Sequence, residues 1–390
     1  MDVAKKNWAF SGRELVGNLP TTGKGVGVVV LDQGFDTTHP DLKNRVAAEV
    51  GAGPEDVFDK DAVGHGTHVL GIVGGDGSSS EGKIRGVAPE ARLIPMKINL
   101  DQNASWQDLS NGFARSVYWA VQNKDEFNIR VINCSFLLPM VEMTDPATGV
   151  ASLVDPLTHA IQMATKAGIT VVAGVGNFAD QMAIMTPAGN PEVISVGALD
   201  VNGTLQDASD DKVADFSSRG KSISGEIKPD IVAPGVHILS TNAPDCQLEQ
   251  GNISQLKRAM LASKGPLSAV QQMAQKQISN GRLPADALQL PEAELRARLK
   301  ASFEIQTFAG VQGQHPLYLS QNGSSMASPF VAGVVANMIE ANPNLTPAQV
   351  KQILLDTAET VPLSPAEAQG HGAVQAHRAV AEAIRFAQTR

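Results

Sequence analysis

"GVGVVVLDQGFDTTHPDL", residues 25–42, contains the run on which the fold turns. Val28, Val29, Val30 and Leu31 are consecutive apolar residues with no polar alternation, so a strand built from them must be covered on both faces. Similar short runs recur at 91–98 ("ARLIPMKI"), 130–136 ("RVINCSF"), 168–177 ("GITVVAGVGN") and 192–199 ("EVISVGAL"). Helical periodicity fills the gaps at 105–123 and 155–168, the latter with an Asp cap, a Pro at the first helical position and a terminal Gly. Strand and helix in alternation predict a doubly wound α/β domain with a mostly parallel sheet flanked by helices. Such sheets gather reactive groups at the carboxyl ends of their strands, where Asp32 and Asn177 fall.

The surrounding composition narrows the class. The 390 residues are 43% hydrophobic and 18% charged, which is globular, and they are enough for one large domain or two ordinary ones. The net charge of −9 comes without any basic stripe, which argues against nucleic acid as a partner. No apolar run reaches the roughly 18 residues of a membrane span. Cys134 and Cys246 are too few for a disulfide framework, and Cys134 reads as a buried thiol. "MDVAKKNWAF" lacks the apolar core of a signal peptide; the expectation is a cytoplasmic protein, or the mature part of an exported one.

Between about 242 and 318 the pattern shifts to a helical insertion. Leu267, Val270, Ala274 and Ile278 share one helical stripe, and Leu295, Leu299 and Phe303 another. Glu292/Arg296 and Glu294/Arg298 stand as i,i+4 pairs.

Three local patterns could carry chemistry. Asp32 ends a buried strand, and Gly34 permits a sharp exit. His65 lies between two glycines in "GHGTHVLGIVGG". Ser325 stands in "NGSSMASPF", where small residues open a buried helix and leave its backbone approachable. Each alone has a plain reading as a cap, a packed histidine or a turn serine. Together they are what nucleophilic catalysis needs: a hydroxyl, an imidazole to take its proton and a buried carboxylate to orient the imidazole. Asn177 could donate to a developing oxyanion.

The order Asp32…His65…Ser325 differs from the Ser…Asp…His of α/β-hydrolases and from the His…Asp…Ser of chymotrypsin-like enzymes. It matches the subtilisins, and the chain resembles the subtilase family, the subtilisin-like serine peptidases. The resemblance is carried by "VVVLDQGFDTTHPDL", "GHGTHVLGIVGG", "GVAPEARLIPMKI", "VINCSF", "AGVGN", "FSSRG", "KPDIVAPGVHILST" and "NGSSMASPFVAGVVA". It implies a catalytic triad of Asp32, His65 and Ser325, with Asn177 and the Ser325 N–H forming the oxyanion hole. It also implies that Ser135, Phe136, Leu137 and Gly176 line the substrate cleft, binding a peptide as an added strand.

Departures from the family pattern are local. Gln33 replaces a small hydroxyl beside Asp32, Ser324 replaces the Thr before the nucleophile, and Leu137 stands where Gly is usual, narrowing the primary specificity cleft. Ser328 and Pro329 are expected in the first turn of their helix. Asp41 matches a position that binds structural calcium in many relatives; the resemblance leaves structural calcium possible, but the loop "GGDGSSSEGKIRG" (74–86) does not look like their ligand loop and does not support it. No other cofactor is implied. His68 forms an H-x-x-H pair with His65 but lacks a third ligand, so a structural role is expected for it.

The resemblance implies an endopeptidase working through an acyl-enzyme on protein or peptide substrates. A processing protease or peptide macrocyclase would use the same intermediate, and an inactive peptide-binding pseudoprotease is the alternative from another class. Relatives are commonly made with a propeptide, for which the 31 residues before Asp32 leave no room, so the expectation is either that one was cleaved away or that the chain folds without it; a propeptide or inhibitor acting in trans is a partner of this kind. The insertion ends seven residues before Ser325, so it either borders the cleft and limits which peptides enter or is a surface subdomain.

Overall fold

A computed structural model describes residues 10–51, 57–98, 106–138, 141–144, 151–154, 157–204, 207–222, 224–246, 267–279, 286–301 and 317–388. The valine run forms β1 (Gly27–Asp32), and all six of its residues are buried. Around it lie β2 (Arg92–Lys97), β3 (Ile129–Cys134), β4 (Thr170–Gly174), β5 (Ile194–Asp200) and β7 (Ile231–Pro234). Their spatial order is β2-β1-β3-β4-β5-β7, and every neighbouring pair is parallel. The short β6 (Lys212–Val213) adds an antiparallel pairing to β5. The mostly parallel sheet is the one its sequence predicts.

Alternate residues of β1 enter different cores, as a two-residue strand period requires. Val28 and Val30 pack with α1 (His65–Gly74), α6 (Ser324–Ala341) and α8 (Ala376–Gln388) on one face. Val29 and Leu31 pack with α2 (Trp106–Gln122) and α3 (Thr158–Lys166) on the other. The chain leaves β1 for β2 on one side and then crosses to β3 on the other. That reversal opens a crevice at the carboxyl ends of β1 and β3.

Within the insertion, α4 (Leu267–Ser279) and α5 (Glu292–Ala301) share a small core of Val270, Ala274, Leu295 and Leu299. Leu267 departs from its expected stripe and is exposed; it is the first residue of α4, where the stripe has not yet met the partner helix. The two i,i+4 pairs form, at 2.6 Å for Arg296–Glu292 and 2.7 Å for Arg298–Glu294. Phe303 and the expected Asp155–Pro156 cap lie outside the described residues. At the base of the insertion, β8 (Ile238–Thr241) pairs antiparallel with β9 (Tyr318–Gln321), Thr241 opposite Tyr318. Among the described residues no helix is long and apolar enough to cross a membrane.

Candidate active site

Asp32 is the last residue of β1 and only 2% exposed. Its Oδ2 lies 2.7 Å from His65 Nδ1. Its Oδ1 accepts the Gln33 backbone N–H at 2.9 Å, so the replacement of a small hydroxyl by Gln33 still leaves the carboxylate a local donor. With Nδ1–H given to Asp32, the imidazole presents Nε2 as its free base. His65 opens α1, and 22% of its side chain remains exposed. The helix can reach Asp32 because residue 66 is glycine: a Cβ there would lie 2.0 Å from the Gly34 carbonyl oxygen.

One residue that sequence reading missed holds this turn. Gly64, the cap of α1, has no side chain to receive the first helical N–H groups. Asp61, buried to 4% exposure, receives them instead. Its Oδ2 accepts the Thr67 N–H at 3.0 Å and the Thr67 hydroxyl at 2.7 Å, and its Oδ1 accepts the Gly64 N–H at 2.8 Å. An acid ahead of a helix start is the sequence signal for it, masked by the glycine at the cap itself. Burial pulls the His65 pKa down, but the charge of Asp32, its hydrogen bond and the charge of Asp61 outweigh that and hold the imidazole above its ordinary 6.5.

Ser325 is the second residue of α6. Its hydroxyl donates to the Ser135 carbonyl at 3.3 Å, and among the described residues it makes no hydrogen bond to His65. The two lie near the carboxyl ends of neighbouring strands. Leu31 pairs with Cys134 across β1 and β3, so Asp32 and Ser135 are each the next residue after that pair, where the two strands run about 4.8 Å apart.

The expectation for Pro329 needs correction. It and Ser328 lie in the second turn of α6, not the first. Pro329 has no N–H to give the Ser325 carbonyl four residues back, and the Ser135 hydroxyl donates to that carbonyl instead, at 3.1 Å. Asn133 Nδ2 in turn donates to the Ser135 hydroxyl at 3.0 Å. The Ser135 side chain therefore braces the Ser325 turn from below.

Asn177 Oδ1 accepts the Ser324 N–H at 2.9 Å, which leaves the amide nitrogen for an acceptor in the adjoining cavity. The Ser324 hydroxyl accepts the Gly176 N–H at 3.0 Å, so the Thr-to-Ser departure keeps a bond between α6 and the end of β4. That approach also requires Gly174, whose Cβ would fall 2.9 Å from the Ser324 carbonyl oxygen. The cavity, about 300 Å³, is lined by Phe136, Leu137, Gly176, Phe178, Met185 and Ser325 among others. Leu137 reaches over Gly176, where a Cβ would meet its Cδ1 at 2.6 Å. Ser135, Phe136, Leu137, Gly176, Asn177 and Ser325 are thus gathered around one cavity. Asp32 and His65 pair at the neighbouring strand end.

His68 is fully buried, and its Nε2 meets the Leu319 carbonyl at 2.9 Å. Burial lowers its pKa to about 4, so it is neutral at physiological pH. Asp41 is also fully buried, with its carboxylate among hydrogen-bond donors. Among the described residues no three His, Cys, Asp or Glu side chains are arranged to hold a metal ion.

Comparison with known proteins gives the family of the chain. The model of the subtilase peptidase family matches residues 23–372. The serine protease AprX of Bacillus subtilis (strain 168) is 32% identical over 375 residues, covering 95% of this chain and 70% of AprX. The major intracellular serine protease of the same organism is 34% identical over 56% of this chain and 60% of its own length. The structure is similar to that of fervidolysin from Fervidobacterium pennivorans, described as a keratinolytic enzyme related to subtilisin. There the TM-score is 0.62 at 25% identity, covering 94% of this chain and 45% of fervidolysin. A parallel α/β sheet with this crevice, on a chain so related, defines a serine endopeptidase. The chain belongs to the subtilase family.

Proposed function

We propose that Asp32, His65 and Ser325 act as a catalytic triad, with Asn177 and the Ser325 backbone N–H as the oxyanion hole, in peptide hydrolysis through an acyl-enzyme. The observation that supports this most is the 2.7 Å His65–Asp32 pair at the end of β1, beside the β3 end after which Ser135 accepts the Ser325 hydroxyl. In this reading a peptide carbonyl entering the cavity displaces the Ser325 hydroxyl from the Ser135 carbonyl. His65 Nε2 takes the hydroxyl proton as Ser325 Oγ bonds to the carbonyl carbon. The carbonyl oxygen, now an anion, receives hydrogen bonds from Asn177 Nδ2 and the Ser325 N–H, at the positive end of α6. The imidazolium then protonates the departing amine as the C–N bond breaks. Water, deprotonated by the same imidazole, hydrolyses the ester and returns the hydrogen to Ser325.

Asp61 serves as a positioning residue, fixing the turn that carries His65. The lining by Phe136, Leu137, Phe178 and Met185 contains no charge and suits an apolar substrate side chain. A fluorophosphonate probe tests the assignment. It is expected to label native protein at Ser325, identified by peptide mass spectrometry, and to leave Ser325→Ala unlabelled. Labelling at another serine, or none in folded protein, would remove Ser325 from the mechanism.

A further inference from the structure

A buried carboxylate must be neutralised or saturated with donors, and calcium does the former by drawing six to eight oxygen ligands around itself. At Asp41 the neighbours are donors. The Ser79 N–H gives to Oδ1 at 2.7 Å, the Ser78 hydroxyl reaches the same oxygen at 3.3 Å, and the Tyr318 hydroxyl gives to Oδ2 at 2.5 Å. The backbone of Asp41 is engaged too: its N–H goes to His39 Nδ1 at 3.1 Å, and its carbonyl accepts the Asp76 N–H at 3.0 Å. The nearby acids of loop 74–86 are turned to other partners, Asp76 to the Ser78 N–H and Glu81 to Lys83. An N–H cannot face a cation, so the position does not fit the calcium that the family resemblance assigns to it.

We infer that Asp41, Ser78, Ser79 and Tyr318 form a cation-free clamp, in which the Tyr318 hydroxyl takes the place of calcium and pins β9 beside α1. Three consecutive residues are gripped at this point. His39 Nε2 meets the Leu317 carbonyl at 2.8 Å, Asp41 holds the Tyr318 side chain, and His68 Nε2 meets the Leu319 carbonyl. β9 ends at Gln321 and α6 begins at Ser324. The clamp therefore ties the return of the insertion to the helix that carries His65 and to the entry of the helix that carries Ser325. Burial and the bond to Asp41 raise the Tyr318 pKa far above its ordinary 10, so the phenol stays a donor throughout the working range.

Thermal unfolding of the full chain carrying Ser325→Ala tests this without any need for catalysis, so it stands or falls apart from the proposed chemistry. Melting with millimolar calcium and with excess chelator should agree within about 1 °C, as expected where no ligand binds the folded state. Adding Tyr318→Phe should lower Tm by roughly 2–4 °C, and calcium should not restore it. A calcium-dependent rise in Tm that Asp41→Asn abolishes would overturn the inference, as would a Tyr318→Phe chain that melts like its parent. A rise that persists in Asp41→Asn places the cation elsewhere and supports the clamp. If a variant does not fold, terbium luminescence of the parent decides. Tyrosine-excited emission displaced by calcium counts against the clamp, and its absence supports it.

Discussion

Asp32 ends β1 and Asp41 follows it nine residues later; both are buried, and they are used in opposite ways. Asp32 gives one oxygen to a backbone N–H and the other to an imidazole whose far edge is open to the crevice. Asp41 has both oxygens committed to donors that do not titrate near neutral pH. A carboxylate bonded to a group that can gain and lose a proton can take part in chemistry. One enclosed by fixed N–H and O–H groups can only hold segments together.

The contrast can be broken most directly by neutralising each acid in turn. Asp32→Asn should lower kcat by about 10⁴, the scale known for triad aspartates in serine proteases, with little change in Tm. Asp41→Asn should leave kcat, corrected for active-site concentration, within about twofold, because a saturated carboxylate acts through stability alone. Equal losses of kcat would erase the distinction.

A smaller effect is expected at the oxyanion. Asn177→Ala should lower kcat by roughly 10²–10³ with KM nearly unchanged, the range found for this donor in subtilisin, a relative. A kcat near that of the parent would exclude Asn177 as a donor.

The smallest effect is the most diagnostic, because Asp61 shares features of both acids: saturated like Asp41, yet close enough to raise the His65 pKa. The charged or titratable groups facing His65 are Asp32, Asp61 and His68. Since the folded pKa of His65 is raised, its protonated form stabilises the fold fully below pH 6.5, and that contribution is lost as pH rises through the folded value. Activity needs the neutral base, so kcat/KM should climb through the same window above 6.5. Asp61→Asn should move that acid limb to lower pH and cost about 1 kcal/mol as a lost cap. A lower Tm with an unmoved limb would make Asp61 purely structural.

Much of the fold was legible because its signals are local. The valine run of β1 and its counterparts could be buried only inside a covered parallel sheet, and each expected strand is present within a few residues. The strands at 141–144 and 151–154 were not anticipated, since among the described residues they pair with each other alone and carry no long apolar run. Pro329 was misplaced by one turn because its lost hydrogen bond is replaced from β3, 190 residues away from Ser325. Asp61 was missed because, the Thr67 hydroxyl apart, its partners are backbone N–H groups, which nearly every residue type carries.

By itself the sequence determined the alternation of buried strands and helices, and it singled out Asp32, His65, Ser325 and Asn177 as candidates for one chemical set. Those features follow from side-chain type and periodicity. Which acids face a titrating partner was decided only by tertiary structure. So were the bracing of the Ser325 turn by Ser135 and the meeting of Tyr318 with Asp41 across 277 residues. These depend on where a proton donor ends up in space, and hydrogen bonds between distant segments leave no periodic trace in the chain.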